Sequence, residues 1–252
     1  MTSRSRMRFF GIDLAFSSKN PSGLCVLDER GALMNADYLR SDEEIVGFIE
    51  QEADPIGNVI VVDAPLICVN ETGQRPCEKL VGRLYGKYHA SCHSSNIRNM
   101  AGQRGPMLVS AVQERFPVTV QHDARNTSAD MWPMIETYPH PAHIELFKLS
   151  RIFKYKKGRV GDKREGLMQY TTALKELQSQ KPPLQIGTIP FLDQDIYSLK
   201  GKGLKRQEDL LDAVFCAYTA AHLWHHRRDT SCWRTIKTDS SPDFITVPLL
   251  SQ

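Results

Sequence analysis

The chain has 252 residues, of which 41% are hydrophobic and 24% charged, with a formal net charge of +3 at pH 7. A chain of this length buries a core without disulfide staples, and we expect one large domain over residues 1–252. This net charge is too small to indicate a nucleic-acid partner, so only local clusters of basic residues can provide such evidence. No apolar run approaches the roughly 20 residues of a membrane-spanning helix. The arginine-rich start lacks the apolar stretch of a signal peptide.

Cysteine usage bears on the compartment. The 6 cysteines are scattered along the chain, several of them within apolar runs. Scattered thiols without a disulfide framework are typical of a reducing environment. We therefore expect free thiols, a cytoplasmic location and no membrane association. The oligomeric state stays open, and a homodimer is one of the alternatives.

The N-terminal part predicts a strand-rich layer. Residues 8–14, 23–29 and 33–39 each have the apolar character of a strand, and short connections between them favour an antiparallel meander. Ser41 then begins a helix with the capping-box pattern. Residues 58–64 form an almost continuous apolar run, which suits a central strand buried on both faces. This fourth strand is expected to run parallel to the first.

The middle of the chain predicts an insertion after the fourth strand. Residues 67–131 are too many for a simple crossover, and we expect a helical insertion there. One helix is predicted over 77–90, and Pro106 is expected to open a second at its first turn. Residues 119–132 have the composition of a loop. A fifth strand follows at 133–138.

The C-terminal part predicts helices and a last strand. A helix is expected over 161–179, with Asp162 as its N-cap, and the segment 184–207 has an irregular pattern. Residues 208–227 are apolar on nearly every side, which is typical of a buried helix. A strand-like run follows at 244–247. Strands interleaved with helices in this way predict an α/β layer structure.

Four carboxylates occupy unusual positions in these elements. Asp13 and Asp63 each end a hydrophobic strand, and parallel neighbouring strands would bring both to the same sheet edge, where sites of α/β proteins lie. Asp209 and Asp212 recur, with Cys216, on one face of the apolar helix. Carboxylate oxygens are the ligands that Mg²⁺ and Mn²⁺ prefer, so the pattern predicts a divalent-metal site.

Ordinary structural roles would also explain some of these acids. Asp13 and Asp63 could be turn residues at strand ends, since aspartate favours turns. Asp209 lies near the expected start of its helix, where acidic side chains complement the helix dipole. Asp212 lies beyond those capping positions, and burying a carboxylate without a partner is costly.

Several short motifs, taken in order, resemble those of one known family. They are Gly11-Ile12-Asp13, Asp63-Ala64-Pro65, residues 135–139, Glu208-Asp209-Leu210-Leu211-Asp212-Ala213 and residues 244–248. Together they resemble domain of unknown function 429, a family of predicted nucleases with a ribonuclease H-like fold. The resemblance covers about residues 8–250.

This resemblance implies a fold and a chemistry. The fold is a five-stranded mixed sheet, with its first three strands antiparallel, flanked by helices. Asp13 would bridge two metals, Asp63 and Asp212 would each hold one, and Asp209 or Glu136 would complete a coordination shell or orient water. The implied reaction is metal-dependent hydrolysis of phosphodiester bonds in DNA or RNA with Mg²⁺ or Mn²⁺. Two such ions can activate a water and stabilise the leaving oxygen.

A basic segment is the candidate substrate contact. Six of its side chains are predicted to bind nucleic acid: Lys154, Lys156, Lys157, Arg159, Lys163 and Arg164. Lysine and arginine neutralise phosphates, while the interleaved Phe153 and Tyr155 could stack on unpaired bases. A solvated basic loop before a helix is the alternative.

Weaker signals point to other chemistries. A zinc site is conceivable from Cys77, His89, Cys92 and His93, but no Cys-x-x-Cys pair accompanies them. His140 and His143 follow the fifth strand, either lining the site or lying at the start of a helix.

Two other function classes compete with a nuclease. A non-catalytic nucleic-acid- or protein-binding module could use the same fold. An actin-like ATPase also begins with a strand ending in aspartate, but it needs a second domain and a glycine-rich adenosine segment. The sequence has neither.

Overall fold

A mixed sheet of six strands forms the centre of the molecule, in a computed structural model that describes residues 7–17 and 19–250. Residues 1–6, where no signal peptide is expected, lie outside the described residues. The strands are β1 Met7–Asp13, β2 Ser22–Asp28, β3 Leu33–Leu39, β4 Gly57–Val62, β5 Val118–Val120 and β6 Trp132–Glu136. Their order across the sheet is β3-β2-β1-β4-β6-β5. The first three pair antiparallel, and β4 pairs parallel with β1, as predicted.

The prediction of five strands is wrong by one. Strand β5 lies in the inserted segment, where a loop was expected over 119–132, and it pairs parallel with β6. With only three residues it is too short to give a recognisable alternation of apolar and polar side chains. The strand-like run expected at 244–247 is a strand outside the main sheet. It forms β8, Phe244–Pro248, which pairs antiparallel with β7, Trp233–Lys237, in a separate two-stranded sheet.

Six α-helices accompany the sheets within the described residues. They are α1 Asp42–Glu52, α2 Pro76–Tyr85, α3 Met100–Gln113, α4 Pro139–Leu146, α5 Val160–Glu176 and α6 Lys202–His225. The capping box that begins α1 at Ser41 is present. Among these helices, none combines the length and the apolar character that crossing a membrane requires.

Three helix starts differ from the sequence predictions. Pro106 lies inside α3, which begins at Met100 with Asn99 as its N-cap. Asp162 lies in the first turn of α5, and Arg159 occupies the N-cap position. Helix α6 begins at Lys202, within the segment expected to be irregular, after the glycine N-cap Gly201. Polar residues in its first two turns hid this start, since the apolar pattern begins only later.

Both faces of the sheet are covered. Alternate side chains of β1 point to opposite sides, so that Phe9 belongs to the core beneath α6, while Phe10 and Ile12 belong to the core beneath α1 and α3. The six residues of β4 are all buried. This explains why β4 appears in the sequence as a nearly continuous apolar run.

A glycine allows α6 to lie directly against β1. A Cβ at Gly11 would collide with the backbone of Ala213 and Ala217, so any other residue would push the helix away from the sheet. Gly23 on β2 meets the backbone of Asp209 in the same way. These two close contacts fix the acidic part of α6 beside the end of β1.

Candidate metal centre

Three carboxylates from distant parts of the chain converge at one sheet edge. Asp13 ends β1, and Asp63 directly follows β4, where its backbone N–H donates to the carbonyl of Ile12 at 2.9 Å. Asp212 reaches the same place from α6. One carboxylate oxygen from each of the three aspartates lies within 4.8 Å of the others. The structure thus brings together Asp13, Asp63 and Asp212, which we call the acidic centre.

The acidic centre is electrostatically strained. Asp212 is fully buried, and Asp13 and Asp63 are partly so. Burial, together with the neighbouring carboxylates, raises the pKa of Asp13 well above its usual value, against the opposing effect of Lys156. Burial likewise raises the pKa of Asp63 to about 6. Closely spaced carboxylates that cannot all ionise comfortably make a site that favours a cation.

One lysine lies within the acidic centre. The Nζ of Lys156 is 2.9 Å from Oδ2 of Asp212 and 3.5 Å from Oδ2 of Asp63. Although burial opposes it, the carboxylates of Asp212, Asp63 and Asp13 raise the pKa of Lys156 well above its usual value. The phenol of the adjacent Tyr155 donates to Oδ1 of Asp212 at 2.8 Å. Lys156, which is predicted to bind nucleic acid, lies among these carboxylates and compensates part of their charge.

Asp209 lies beside the acidic centre but has partners of its own. Its Oδ1 is 2.5 Å from the Nζ of Lys205, and its Oδ2 accepts a hydrogen bond from the phenol of Tyr38 at 2.7 Å. Because α6 begins at Lys202, Asp209 is not in the first turn, and the capping explanation does not hold. As a metal ligand, Asp209 would have to share a carboxylate oxygen with one of these partners or release it.

Glu136 belongs to a different cluster. Its two oxygens accept from the guanidinium of Arg75 at 2.5 and 2.9 Å and from the backbone N–H of Leu66 at 2.8 Å. Arg75 also bonds Glu78 at 3.0 Å, and all three charged side chains are buried. Burial raises the pKa of Glu136 to about 7, and Arg75 opposes that rise. The expected place of Glu136 in the metal site is therefore not what the structure shows.

The basic segment divides between two environments. Lys154, Lys157 and Arg159 are exposed on the surface, whereas Lys156 enters the acidic centre. Lys163 and Arg164 are partly buried on α5, and the guanidinium of Arg164 donates to the carbonyl of Leu199 at 2.7 Å.

The two aromatic residues of this segment are not available for stacking on bases. Phe153 and Tyr155 are both buried and pack against Tyr170 of α5. The buried Phe153 and Tyr155 alternate with the more exposed Lys154 and Lys156, which is typical of an extended segment with one face in the core. That alternation is the sequence signal that was missed.

The histidines near the fifth strand have a core role. His140 and His143 are buried among aromatic rings, His143 lying 4.4 Å from the ring of Tyr170 between centroids. Burial lowers the pKa of His140 to about 3, so both the burial and the nearby cations favour its neutral form. Burial also lowers the pKa of His143 well below its usual value.

The residues of the zinc hypothesis are not among the groups of metal-ligating atoms that come together in the described part of the chain. His89 contacts Arg151 and His93 contacts Lys157, on the surface. The one other such group there is His226, Asp229 and Cys232, just beyond α6. In that group, Asp229 caps a short turn by accepting from Ser231.

The acidic centre has the chemistry of a hard-cation site. Its donor atoms are all carboxylate oxygens, the type that Mg²⁺ and Mn²⁺ prefer. Asp13 forms no ion pair with any described residue, and Asp63 has only the 3.5 Å contact with Lys156. The residues present therefore fit a divalent cation held first by Asp13 and Asp63, with Asp212 beside them.

Comparison with known proteins identifies the family but no activity. The model of a family described as protein of unknown function, DUF429, matches residues 11–233. The chain belongs to the DUF429 family. Among curated proteins and among solved structures, no match to the chain is found. The matched region contains all three aspartates of the acidic centre. Because the family description assigns no activity, a function has to be argued from this centre itself.

Proposed function

We propose that this DUF429 protein is a metal-dependent phosphodiesterase that cleaves DNA or RNA at the acidic centre. The observation that carries the proposal is the convergence of Asp13, Asp63 and Asp212 to within 4.8 Å at the carboxyl ends of β1 and β4. Three aspartates so distant in sequence meet only because β1 and β4 are parallel neighbours and α6 lies against β1. Strained, under-compensated carboxylates in a cleft are typical of functional sites.

The strand order supports a ribonuclease H-like fold for the domain. Three antiparallel strands, β1 to β3, are followed by β4 and β6, which run parallel to β1 on its other side. The acidic side chains come from the ends of the first and fourth strands and from the last long helix, as the family resemblance implies. The additional strand β5 would then be part of the insertion.

The side chains of the centre have distinct roles in this proposal. Asp13 and Asp63 would hold Mg²⁺ or Mn²⁺, and Asp212 would hold a second ion once it releases the ammonium of Lys156. Metal ions in such a site activate water and stabilise the leaving oxygen of a phosphodiester. Lys156, freed from Asp212, would place a positive charge beside the scissile phosphate. Tyr155 keeps the carboxylate of Asp212 oriented through its 2.8 Å hydrogen bond.

The activity is tested with purified protein and labelled single-stranded, duplex, hybrid and branched nucleic acids, with and without Mg²⁺ or Mn²⁺. We expect metal-dependent cleavage of at least one substrate and a loss of about 100-fold or more in Asp13→Asn, since even partners of metal ligands contribute 10–100-fold. Glu136→Asp is the matched control, because it keeps a carboxylate in the neighbouring cluster. Undiminished cleavage by Asp13→Asn would contradict the assigned site.

The number of bound metals tests the role of Lys156 separately. Isothermal titration calorimetry with Mn²⁺ should show two ions, the second binding more weakly because it displaces a buried ammonium from Asp212. Lys156→Met should strengthen the second event and leave the first nearly unchanged. A single ion in both proteins would limit the centre to one metal.

A non-catalytic binding module is the second candidate, and Lys156 is the observation that favours it. With its Nζ at 2.9 Å from Asp212, this lysine already supplies part of the charge that a metal would supply. A site neutralised in this way could hold the fold together without catalysis. Calorimetry distinguishes the two candidates, because the module would bind no divalent metal at the acidic centre.

A further inference from the structure

A deep cleft opens in front of the acidic centre. Its volume is about 570 Å³, and Asp13, Asp63 and Lys156 lie in its wall. Ligand pockets in proteins commonly occupy about 300–1,000 Å³. The cleft is thus large enough for a nucleotide-sized group, placed directly against the carboxylates.

The wall of the cleft carries cations from separate elements. Arg40 follows β3, Lys202 begins α6, and both side chains are exposed. Neither forms an ion pair with another described residue, unlike Lys205 nearby, which pairs with Glu208 and Asp209. Positive charges left uncompensated beside a cleft suit the phosphates of a polyanion.

The lining of the cleft also includes an exposed aromatic ring, that of Phe16. Phe16 lies three residues after Asp13 and is 42% exposed. It also lines a small pocket of about 60 Å³ that shares Asp63 with the cleft, so the ring lies close to the acidic centre. An exposed aromatic ring next to a phosphate-binding surface is a platform on which an unpaired base can stack.

The exposed cations of the basic segment lie elsewhere. Of the six basic residues predicted to bind nucleic acid, Lys156 alone lines this cleft. Lys154 lines a different surface depression, with Phe153 and residues of α5. Among the basic residues predicted to bind nucleic acid, the exposed ones are therefore not those that line the cleft beside Phe16.

We propose that the cleft binds single-stranded nucleic acid, with Arg40 and Lys202 on its phosphates and Phe16 beneath an unpaired base. This deepens the proposed phosphodiesterase function, on which the choice of a nucleic-acid ligand rests. Duplex DNA keeps its bases stacked inside, where Phe16 cannot reach them. The cleft therefore selects a single strand or a frayed end over an intact duplex.

Binding is measured without catalysis, by fluorescence anisotropy of a labelled oligonucleotide of about 15 nucleotides in EDTA. DNA and RNA single strands and the matching duplex form the three arms. Two double variants carry the same change in charge: Arg40→Glu with Lys202→Glu in the cleft, and Arg159→Glu with Lys154→Glu on the basic segment. All four side chains are exposed, and thermal unfolding checks that each variant folds.

We expect the cleft variant to weaken single-strand binding at least about tenfold and to lower the salt dependence by about two ions, one per cation. The basic-segment variant should weaken it about twofold or less. Phe16→Ala should cost about tenfold for single strands and leave duplex binding nearly unchanged, as stacking on an aromatic ring predicts. Met107→Ala, which removes another exposed apolar side chain, is its control.

Three results would overturn the proposal: a larger loss in the basic-segment variant, tighter binding of the duplex than of the single strand, or no binding of any arm. The proposed catalytic function fails in a different way. If the wild type and Asp13→Asn both bind single strands but neither cleaves any substrate, the phosphodiesterase function is refuted. The proposal that the cleft binds single strands would still stand.

Discussion

Two buried charged clusters lie near the same end of the sheet, and they differ in how completely their charges are satisfied. Glu136 accepts three hydrogen bonds, two of them from Arg75, which itself bonds Glu78. The acidic centre has three aspartates and one lysine, and Asp13 has no ion pair among the described residues. Buried polar groups normally find partners, so the exceptions require a functional explanation.

This comparison teaches how to separate structural acids from functional ones. The Glu136 cluster connects the end of β6 to the loop after β4 and to α2, and its complete bonding marks it as a support. The acidic centre has three carboxylates for a single ammonium group and opens to a cleft, which marks it as a place where a cation and a ligand belong.

The largest expected effect is on stability. Glu136→Gln leaves the buried guanidinium of Arg75 without one of its carboxylates, and we expect a loss of about 3–5 kcal/mol in the free energy of unfolding. Asp13→Asn removes repulsion within the acidic centre, so its stability should be unchanged or slightly higher. Urea denaturation of both variants measures the contrast. Equal losses would mean that the acidic centre is also a structural support.

Stabilisation by bound metal should depend on the acidic centre and not on the Glu136 cluster. At Mn²⁺ concentrations about 100 times the dissociation constant, the wild type should gain about 2.7 kcal/mol. Glu136→Gln should retain this gain from its lower baseline, whereas Asp13→Asn should lose it. Differential scanning calorimetry with and without Mn²⁺ provides the values. A gain of the same size in Asp13→Asn would place the metal elsewhere.

The pH dependence follows from the raised pKa values of Asp13 and Asp63. The folded protein binds protons here more tightly than the unfolded chain does. The stability that these protons contribute is therefore complete below pH about 4 and is lost as pH rises through about 6, the folded pKa of Asp63. Metal affinity has the opposite trend, because ligands must be deprotonated, and it should rise about tenfold per pH unit below pH 6.

Calorimetric titrations with Mn²⁺ between pH 5 and about 7.5 measure this trend, with proton release followed in buffers of different ionisation enthalpy. Asp63→Asn should bind more weakly and lose most of the dependence around pH 6. A flat affinity profile in the wild type would indicate that these carboxylates do not form the site.

The smallest expected effect concerns the orientation of Asp212. Tyr155→Phe removes the phenol that donates to Asp212 and should cost about 1 kcal/mol of stability, a typical net value for one hydrogen bond. Metal affinity should fall by a further few-fold, since partners of ligands orient them. Tyr218→Phe, which removes a buried phenol that donates to the carbonyl of Pro182, is the matched control. An identical effect of both changes on metal affinity would deny Tyr155 its positioning role.

Local patterns predicted the sheet and the acidic centre better than they predicted the surroundings. The signals for Asp13, Asp63 and Asp212 are short-range: two apolar strands that end in aspartate, and a polar stripe on an otherwise apolar helix. The structure brings these three residues together. The partners of Glu136 could not be found in this way, because Arg75 is 61 residues away in the sequence. A helix start without a capping side chain hid the beginning of α6.

The basic segment shows that a local density of basic residues does not predict which side chains face a site. The density of lysines and arginines over 154–164 predicts a single nucleic-acid contact, but the chain turns Lys156 inward while Lys154 and Lys157 remain exposed. The free cations Arg40 and Lys202, which the fold brings to the cleft, come from separate elements and form no cluster in the sequence. Which cations face a site is decided by tertiary packing, not by local density of charge.

The most direct test of the central claim is an X-ray structure of crystals soaked in Mn²⁺, with anomalous scattering used to locate the ions. Our account predicts an anomalous peak between the carboxylates of Asp13, Asp63 and Asp212, and none beside Glu136. It also predicts that the peak disappears in Asp13→Asn. A structure at saturating Mn²⁺ with no peak at the acidic centre, or with the ion bound only at His226, Asp229 and Cys232, would contradict the account.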